Sequence, residues 1–254
     1  MKLQILGCSG DVTGNRRTTA YLVNDRVLFD AGAVTDALST GELKQISHVF
    51  LSHSHLDHVK GLCFLSEQVS LNKGWSLTVL ADEQVIKALS LHVFNDILWP
   101  NFTLSQGKEE SFVRLEALDP LGWITAHGLN VKAIAVNHKT PTTGFLVKEG
   151  ENAIMMTSDT GVTEQFWKVA QLEEHLAFVI AHVAFPDRLS RLAQRSGHMT
   201  PSVLLERIDT HGLHHVTFYV AHVKSEFEDE IRHEMGKMGK ENIRLAEEGS
   251  ILVV

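Results

Sequence analysis

The sequence predicts an α/β protein in which sheets are covered by helices. Three observations carry this. Short apolar runs rich in β-branched and aromatic residues alternate along the chain with longer runs at helical spacing. Most of the short runs are bounded by Gly, Asn, Asp or Ser, which close strands into turns. Two helix starts carry capping chemistry. The mixture is that of helices packed on sheets; periodicity leaves open whether there is one sheet or two.

In chain order, strands are expected at 2–6, 19–23, 27–30 and 48–52, and a helix over 56–66 in which Gly61 allows close packing. Residues 77–80 read as a strand and 82–98 as a helix. Strands follow at 112–118, 131–136, 144–147 and 153–157, then a helix over 163–174 and a strand over 177–181. A helix over 187–194 precedes one over 201–210, where Thr200 is placed to cap, Pro201 holds the first helical position and Gly212 follows the end. A strand at 216–221 leads to a helix over 225–238, where Ser225 and Glu228 have capping-box spacing, and 251–254 is a last strand.

At 254 residues the chain is near the upper limit for one hydrophobic core, so a single domain over 1–254 is expected. With 44% hydrophobic and 21% charged residues it has ordinary soluble composition. No apolar run approaches the roughly 20 residues needed to cross a bilayer. "MKLQILGCSG" enters a strand directly and lacks a leader's cleavage site, which predicts a cytoplasmic protein with no membrane partner. Cys8 and Cys63 have no metal spacing and read as reduced packing thiols. A net charge of −8, from 23 basic and 31 acidic residues, argues against a long nucleic-acid partner. A small anionic substrate stays open, because bound cations reverse the local field.

"LSHSHLDHVKGL", residues 51–62, concentrates the chemistry. "HVFLS" reads as a buried strand, and His53 and His55, two apart, point the same way in an extended segment. Asp57 and His58 fall at the first turn of the helix that follows. Four metal-ligating side chains thus stand on a strand-to-helix turn, where a rigid scaffold displays chemistry. His138, Asp159 and His222 each lie just past another buried-looking strand. Alone, Asp159 before Thr160-Gly161 would be an Asx turn, and either histidine a hydrogen-bonded edge residue. As a set they divide into His53, His55 and His138 for one metal, and Asp57, His58 and His222 for another, with Asp159 between.

"HSHLDH" resembles the signature of the metallo-β-lactamase superfamily, and "LFDAG" at 28–32 resembles that superfamily's early strand and turn. The resemblance covers almost the whole chain. It implies a four-layer αββα sandwich, two packed mixed sheets flanked by helices, with a dinuclear site on one edge. "HVFNDILWPNFT" at 92–103, "FPD" at 185–187 and "SGHMTP" at 196–201 resemble, more narrowly, the class II cyclic-nucleotide phosphodiesterases. That likeness implies hydrolysis of 3′,5′-cyclic nucleotides, cAMP first among them, to nucleoside 5′-monophosphates. One position departs: related phosphodiesterases usually carry Glu where this chain has His182. In tRNA 3′-end processing ribonucleases that Glu supports a catalytic histidine resembling His198. A histidine at 182 would retune proton transfer, mark another substrate, or simply pack beside the site.

The nitrogen and carboxylate donor set suits two divalent ions, Zn²⁺ foremost, with Mn²⁺ and Fe²⁺ compatible. Two such ions share a bridging hydroxide at neutral pH. Asp57 is expected to orient it as well as bind metal, and His198 to protonate the leaving 3′-oxygen. The helix begun by Thr200-Pro201 offers amides and a partial positive charge to the phosphate. Phe94, Trp99 and Phe102 would wall the nucleobase; helical spacing equally places Phe94 in the core, and an apolar wall also fits a homodimer contact. Rival readings are a tRNA-processing ribonuclease, a lactonase or a thioesterase on the same scaffold, and a non-catalytic nucleotide or metal sensor. A redox di-iron centre fits less well, since that branch prefers a carboxylate where this chain has His55.

Overall fold

The computed structural model describes residues 1–104 and 112–254. The antiparallel strands β1 (Lys2–Gly7), β2 (Ala20–Val23) and β3 (Val27–Phe29) are followed by the single-turn helices α1 (Val34–Ala37) and α2 (Thr40–Leu43). Next come β4 (His48–Phe50), α3 (Leu56–Ser70), β5 (Leu77–Ala81), α4 (Glu83–His92) and β6 (Val113–Ala117), with β3, β4, β5 and β6 parallel. A second antiparallel run is formed by β7 (Trp123–Ala126), β8 (Leu129–Val136), β9 (Thr142–Glu149) and β10 (Asn152–Met156). After α5 (Gln165–Leu172) come β11 (Leu176–His182), α6 (Ser190–Ser196), α7 (Pro201–His211), β12 (Thr217–Ala221), α8 (Glu228–Met238), β13 (Ile243–Leu245) and β14 (Ile251–Val253). Strands β10 to β13 run parallel, and β14 returns to pair antiparallel with β1.

Among the described residues this makes two seven-stranded mixed sheets, ordered β14-β1-β2-β3-β4-β5-β6 and β13-β12-β11-β10-β9-β8-β7. Period-2 alternation explains the layers. In β4, Val49 faces α3 and α4, whereas Phe50 faces the other sheet. In β11, Val179 packs under α5 and α7, whereas Phe178 and Ile180 point inward. Strands buried on both faces are therefore continuously apolar, and three cores separate four layers in αββα order.

Local chemistry shifts several boundaries. The helix expected over 82–98 stops at His92. There Asn95 accepts hydrogen bonds from the amides of Ile97 and Leu98, and Asp96 has a φ of 63°, so the chain turns. The capping box expected at Ser225 does not form: the Ser225 hydroxyl and amide both donate to Asp11, and α8 starts at Glu228. The same Ser-x-x-Glu spacing at Ser39 and Glu42 does form one, ahead of α2. Strands β7 and β13 and helices α1 and α2 were not expected; each has at most four residues, and exposed β7 lacks a buried stripe.

Candidate metal centre

Each candidate ligand sits where a strand has just ended. His53 follows β4, and Asp57 and His58 open α3. His138 follows β8, Asp159 follows β10 and His222 follows β12. The two sheets present these ends along one seam. The helix α3 is held against the turn after β3, where Ala31 N–H donates to His58 O at 2.7 Å and Gly61 N–H to Ala31 O at 2.9 Å. A Cβ at Gly61 would lie 2.3 Å from the Ala31 oxygen, so this approach requires glycine.

One oxygen organises the cluster. Asp159 Oδ2 lies 3.3 Å from His222 Nε2, 3.6 Å from both His53 Nε2 and His58 Nε2, and 3.8 Å from His138 Nε2. These are long for hydrogen bonds. They lie at or a few tenths of an ångström above the roughly 3.3–3.5 Å edges between ligands that each stand about 2.0–2.1 Å from a tetrahedral ion. Donor atoms of His53, His55, His138 and Asp159 lie within 4.8 Å of one another, as do those of Asp57, His58 and His222. His55 Nδ1 is 3.5 Å from His138 Nε2, and Asp57 Oδ2 is 3.6 Å from His58 Nε2 and 3.8 Å from His222 Nε2. His53, His55 and His138 thus fall together, as do Asp57, His58 and His222, with Asp159 in the first group; a third such group, Asp159, His198 and His222, overlaps both.

The far side of each ring fixes its direction. His58 Nδ1–H donates to Asp30 Oδ2 at 2.8 Å. Ser52 Oγ–H donates to the same oxygen at 2.8 Å, so it accepts from His53 Nδ1–H at 2.9 Å. His138 Nδ1–H donates to Gly197 O at 2.8 Å, and His222 Nδ1 meets Thr19 Oγ1 at 3.2 Å. Four Nε2 atoms are thereby turned inward, the arrangement that orients metal-ligating histidines. His53 Nε2 and His58 Nε2 are buried without a hydrogen-bond partner among the described residues. Orphaned buried nitrogens are costly unless something fills the space between them, and a divalent cation fits the donor set.

The electrostatics separate the rings. Burial pulls His53 and His222 well below the usual imidazole range. Burial also works against a charged His58, but the Asp30 and Asp159 carboxylates outweigh it and hold that ring well above the usual value. Asp159 stays ionised although burial opposes it, because His222, His58 and the bond from His182 pull it well below the carboxylate range. Asp30, Ser158 and His222 all have positive φ, at 55°, 55° and 61°. Left-handed non-glycine residues cost of order 1–3 kcal/mol each, and three beside one cluster mark a built site.

The profile of the Beta-lactamase superfamily domain matches residues 25–222. The chain belongs to the metallo-β-lactamase superfamily. A curated relative from Yersinia pestis, named "Probable 3′,5′-cyclic-nucleotide phosphodiesterase", is 26% identical over 245 residues, covering 80% of this chain and 70% of its own. A protein of Halorubrum lacusprofundi named Ribonuclease Z is 29% identical over 161 residues, covering 59% of this chain and 48% of its own. The metallo-β-lactamase fold protein YhfI from Bacillus subtilis superposes with a TM-score of 0.78 at 18% identity, over 99% of each chain. That likeness to YhfI speaks for the fold alone.

Other superfamily expectations need correction. Phe94 is fully buried in the outer core, which removes it as a wall for a nucleobase. Trp99 and Phe102 pack against the same core, and Trp99 meets Phe64 edge-to-face at 5.1 Å. Thr200 occupies the N-cap of α7 but makes no side-chain cap, and it is buried. The start of α7 is already taken by a carboxylate: Ser202 donates its amide to Asp187 Oδ1 at 2.9 Å and its hydroxyl to Oδ2. The Ser202 amide is therefore not free for phosphate. His182 does not support His198; it bonds Asp159 Oδ1 and Tyr21 instead.

His198 stands beside the cluster, its ring 5.0 Å from that of His138 and stacked 5.5 Å from that of His222. Its Nδ1 is buried without a partner among the described residues, and burial pulls its pKa down to about 4. Sequence reasoning passed over Thr19, Tyr21, Asp30 and Ser52. Asp30 was within reach of it, since it follows β3 as the ligands follow their strands, and it lies in the quoted "LFDAG". Nothing in the spacing singled out the others.

Proposed function

We propose that the chain is a metal-dependent phosphodiesterase that hydrolyses 3′,5′-cyclic nucleotides to nucleoside 5′-monophosphates. The observation that carries the reading is the convergence of four inward imidazole nitrogens on Asp159 Oδ2. Support for the substrate class comes from the Yersinia relative, which matches over 80% of this chain. His53, His55, His138 and Asp159 would hold one divalent ion and Asp57, His58 and His222 a second, with Asp159 between them. Bound there, such ions supply positive charge for the non-bridging phosphate oxygens and make a water acidic enough to attack near neutral pH.

The chain's own groups supply the rest. The Asp57 side chain is 28% exposed, against 2% or less for His58, Asp159 and His222. It is the carboxylate placed to orient an incoming water and accept its proton. As the water oxygen bonds to phosphorus, the P–O3′ bond breaks and the 3′-oxygen must gain a proton. His198 is the nearest uncommitted imidazole. Its resting ring is neutral, and an anionic phosphodiester beside it favours the protonated form that donates. The 5′-phosphate and free 3′-hydroxyl leave as one molecule.

A ribonuclease reading is favoured by the Halorubrum relative and opposed by the net charge of −8. A panel of 3′,5′-cAMP, 3′,5′-cGMP, 2′,3′-cyclic nucleotides, precursor tRNA and a lactone separates the two. Turnover of the 3′,5′-cyclic substrates at the highest kcat/KM is expected; preferred cleavage of precursor tRNA would replace this reading with the second.

A further inference from the structure

Asp159 has two oxygens, and only Oδ2 faces the candidate ligands. Oδ1 is engaged by His182 Nδ1 at 2.9 Å. A carboxylate oxygen only accepts, so Nδ1 carries the proton. The other nitrogen, Nε2, lies 2.9 Å from the Tyr21 hydroxyl. In the imidazole with its one proton on Nδ1, Nε2 is an acceptor, so the Tyr21 hydroxyl donates to it. The chain of donation is complete and has one direction: Tyr21 O–H to His182, His182 N–H to Asp159. All three groups are at most 1% exposed.

The placement matters as much as the bonds. Tyr21 belongs to β2 in one sheet, and His182 ends β11 in the other. The relay therefore ties the orientation of Asp159 to the packing of the two sheets. The His182 ring also stacks on that of His222, with centroids 5.0 Å apart and planes 7° from parallel. One imidazole thus holds a carboxylate by hydrogen bond and a candidate ligand ring by its face.

We propose that Tyr21 and His182 are a positioning pair that sets the rotation of Asp159, so that Oδ2 and not Oδ1 is presented between the two metals. The inference rests on the metal-centre part of the function proposed above and is independent of which ester is cleaved. Without the bond to Oδ1 the carboxylate turns about its χ2 torsion and the two oxygens compete. Loss of a hydrogen bond that orients a metal ligand typically costs 10- to 100-fold in metal affinity.

The test is metal affinity of the apoprotein, read by competition of Zn²⁺ with a chromophoric chelator, with no substrate present. His182→Phe keeps a ring to stack on His222 but has no donor; a 10- to 100-fold loss of Zn²⁺ affinity is expected. His182→Asn restores a donor near the place of Nδ1, and recovery to within about threefold of wild type is expected on the same principle. Tyr21→Phe should lose less than His182→Phe. Melting of each apoprotein shows whether the variants fold. Should His182→Phe fail to fold, the ¹⁵N signals of the wild-type imidazoles decide: an Nδ1–H tautomer at His182 supports the pair, and an Nε2–H tautomer overturns it. Unchanged affinity in folded His182→Phe, or no recovery in His182→Asn, overturns the positioning role. Wild-type protein that binds no Zn²⁺ would overturn the metal centre itself.

Discussion

Asp30 accepts three hydrogen bonds, from the Ser52 amide, the Ser52 hydroxyl and His58 Nδ1–H, each at 2.8 Å. Through Ser52 it also directs His53. Asp30→Ala would strand these donors in a buried space at about 1–3 kcal/mol each. Loss of 10- to 100-fold in metal affinity is expected with it, measurable by the same chelator competition. His198 makes the opposite forecast, since it touches the cluster without belonging to either proposed ligand group. His198→Ala should keep its metal, counted by elemental analysis, and lose about 10²- to 10⁴-fold in kcat. Metal loss in that variant would make His198 a ligand. Cys8 is a third case: burial pushes its thiol up to about 12, so it should resist alkylation at pH 8 in the folded protein and react once unfolded. The candidate ligands stand out in the sequence because histidine and aspartate after apolar runs are rare without cause. The residues that hold them were not, because a serine or threonine beside a strand is ordinary until its partner is known.

Helix α3 shows how an element delivers chemistry. His55 is its N-cap residue, Asp57 and His58 lie in its first turn, and Gly61 seats it one turn later against the Ala31 carbonyl. Gly61→Ala would force backbone to move by more than a side chain can absorb, since the clashing atom is a main-chain oxygen at 2.3 Å. Destabilisation of about 1–3 kcal/mol is expected in a urea melt, with weaker metal binding because Asp57 and His58 shift with the helix. A melt indistinguishable from wild type would contradict that seating. Long periodic elements such as α3 and β8 were readable from pattern alone. The aromatic segment after α4 was legible only as two alternatives, a binding wall or a part of the core; Phe94 takes the second, beside the turn made by Asn95 and Asp96. Likewise Ser225 has the spacing of a helix cap, yet Asp11, far away in sequence, takes its hydroxyl. Local rules lose where a distant partner satisfies the same group better.

Each of the two sheets contributes four side chains to one candidate centre. His53, His55, Asp57 and His58 come from the first, and His138, Asp159, His182 and His222 from the second. Strand identity could be read along the chain, but which ends lie side by side depends on long-range pairing, which periodicity does not encode. The resemblance carried by "HSHLDH" supplied that missing juxtaposition. A centre that bridges both sheets should also clamp them. Metal at a thousand times its Kd stabilises a protein that binds it only when folded by about 4 kcal/mol, so reloading should raise Tm by several degrees in a thermal melt. No helix among the described residues is long and apolar enough to cross a membrane. The most direct measurement is hydrolysis of 3′,5′-cAMP by protein stripped with a chelator, dialysed and then reloaded. The expected result is 5′-AMP formation that vanishes on stripping and returns with about two equivalents of divalent metal per chain. Undiminished hydrolysis by the fully stripped protein would contradict it.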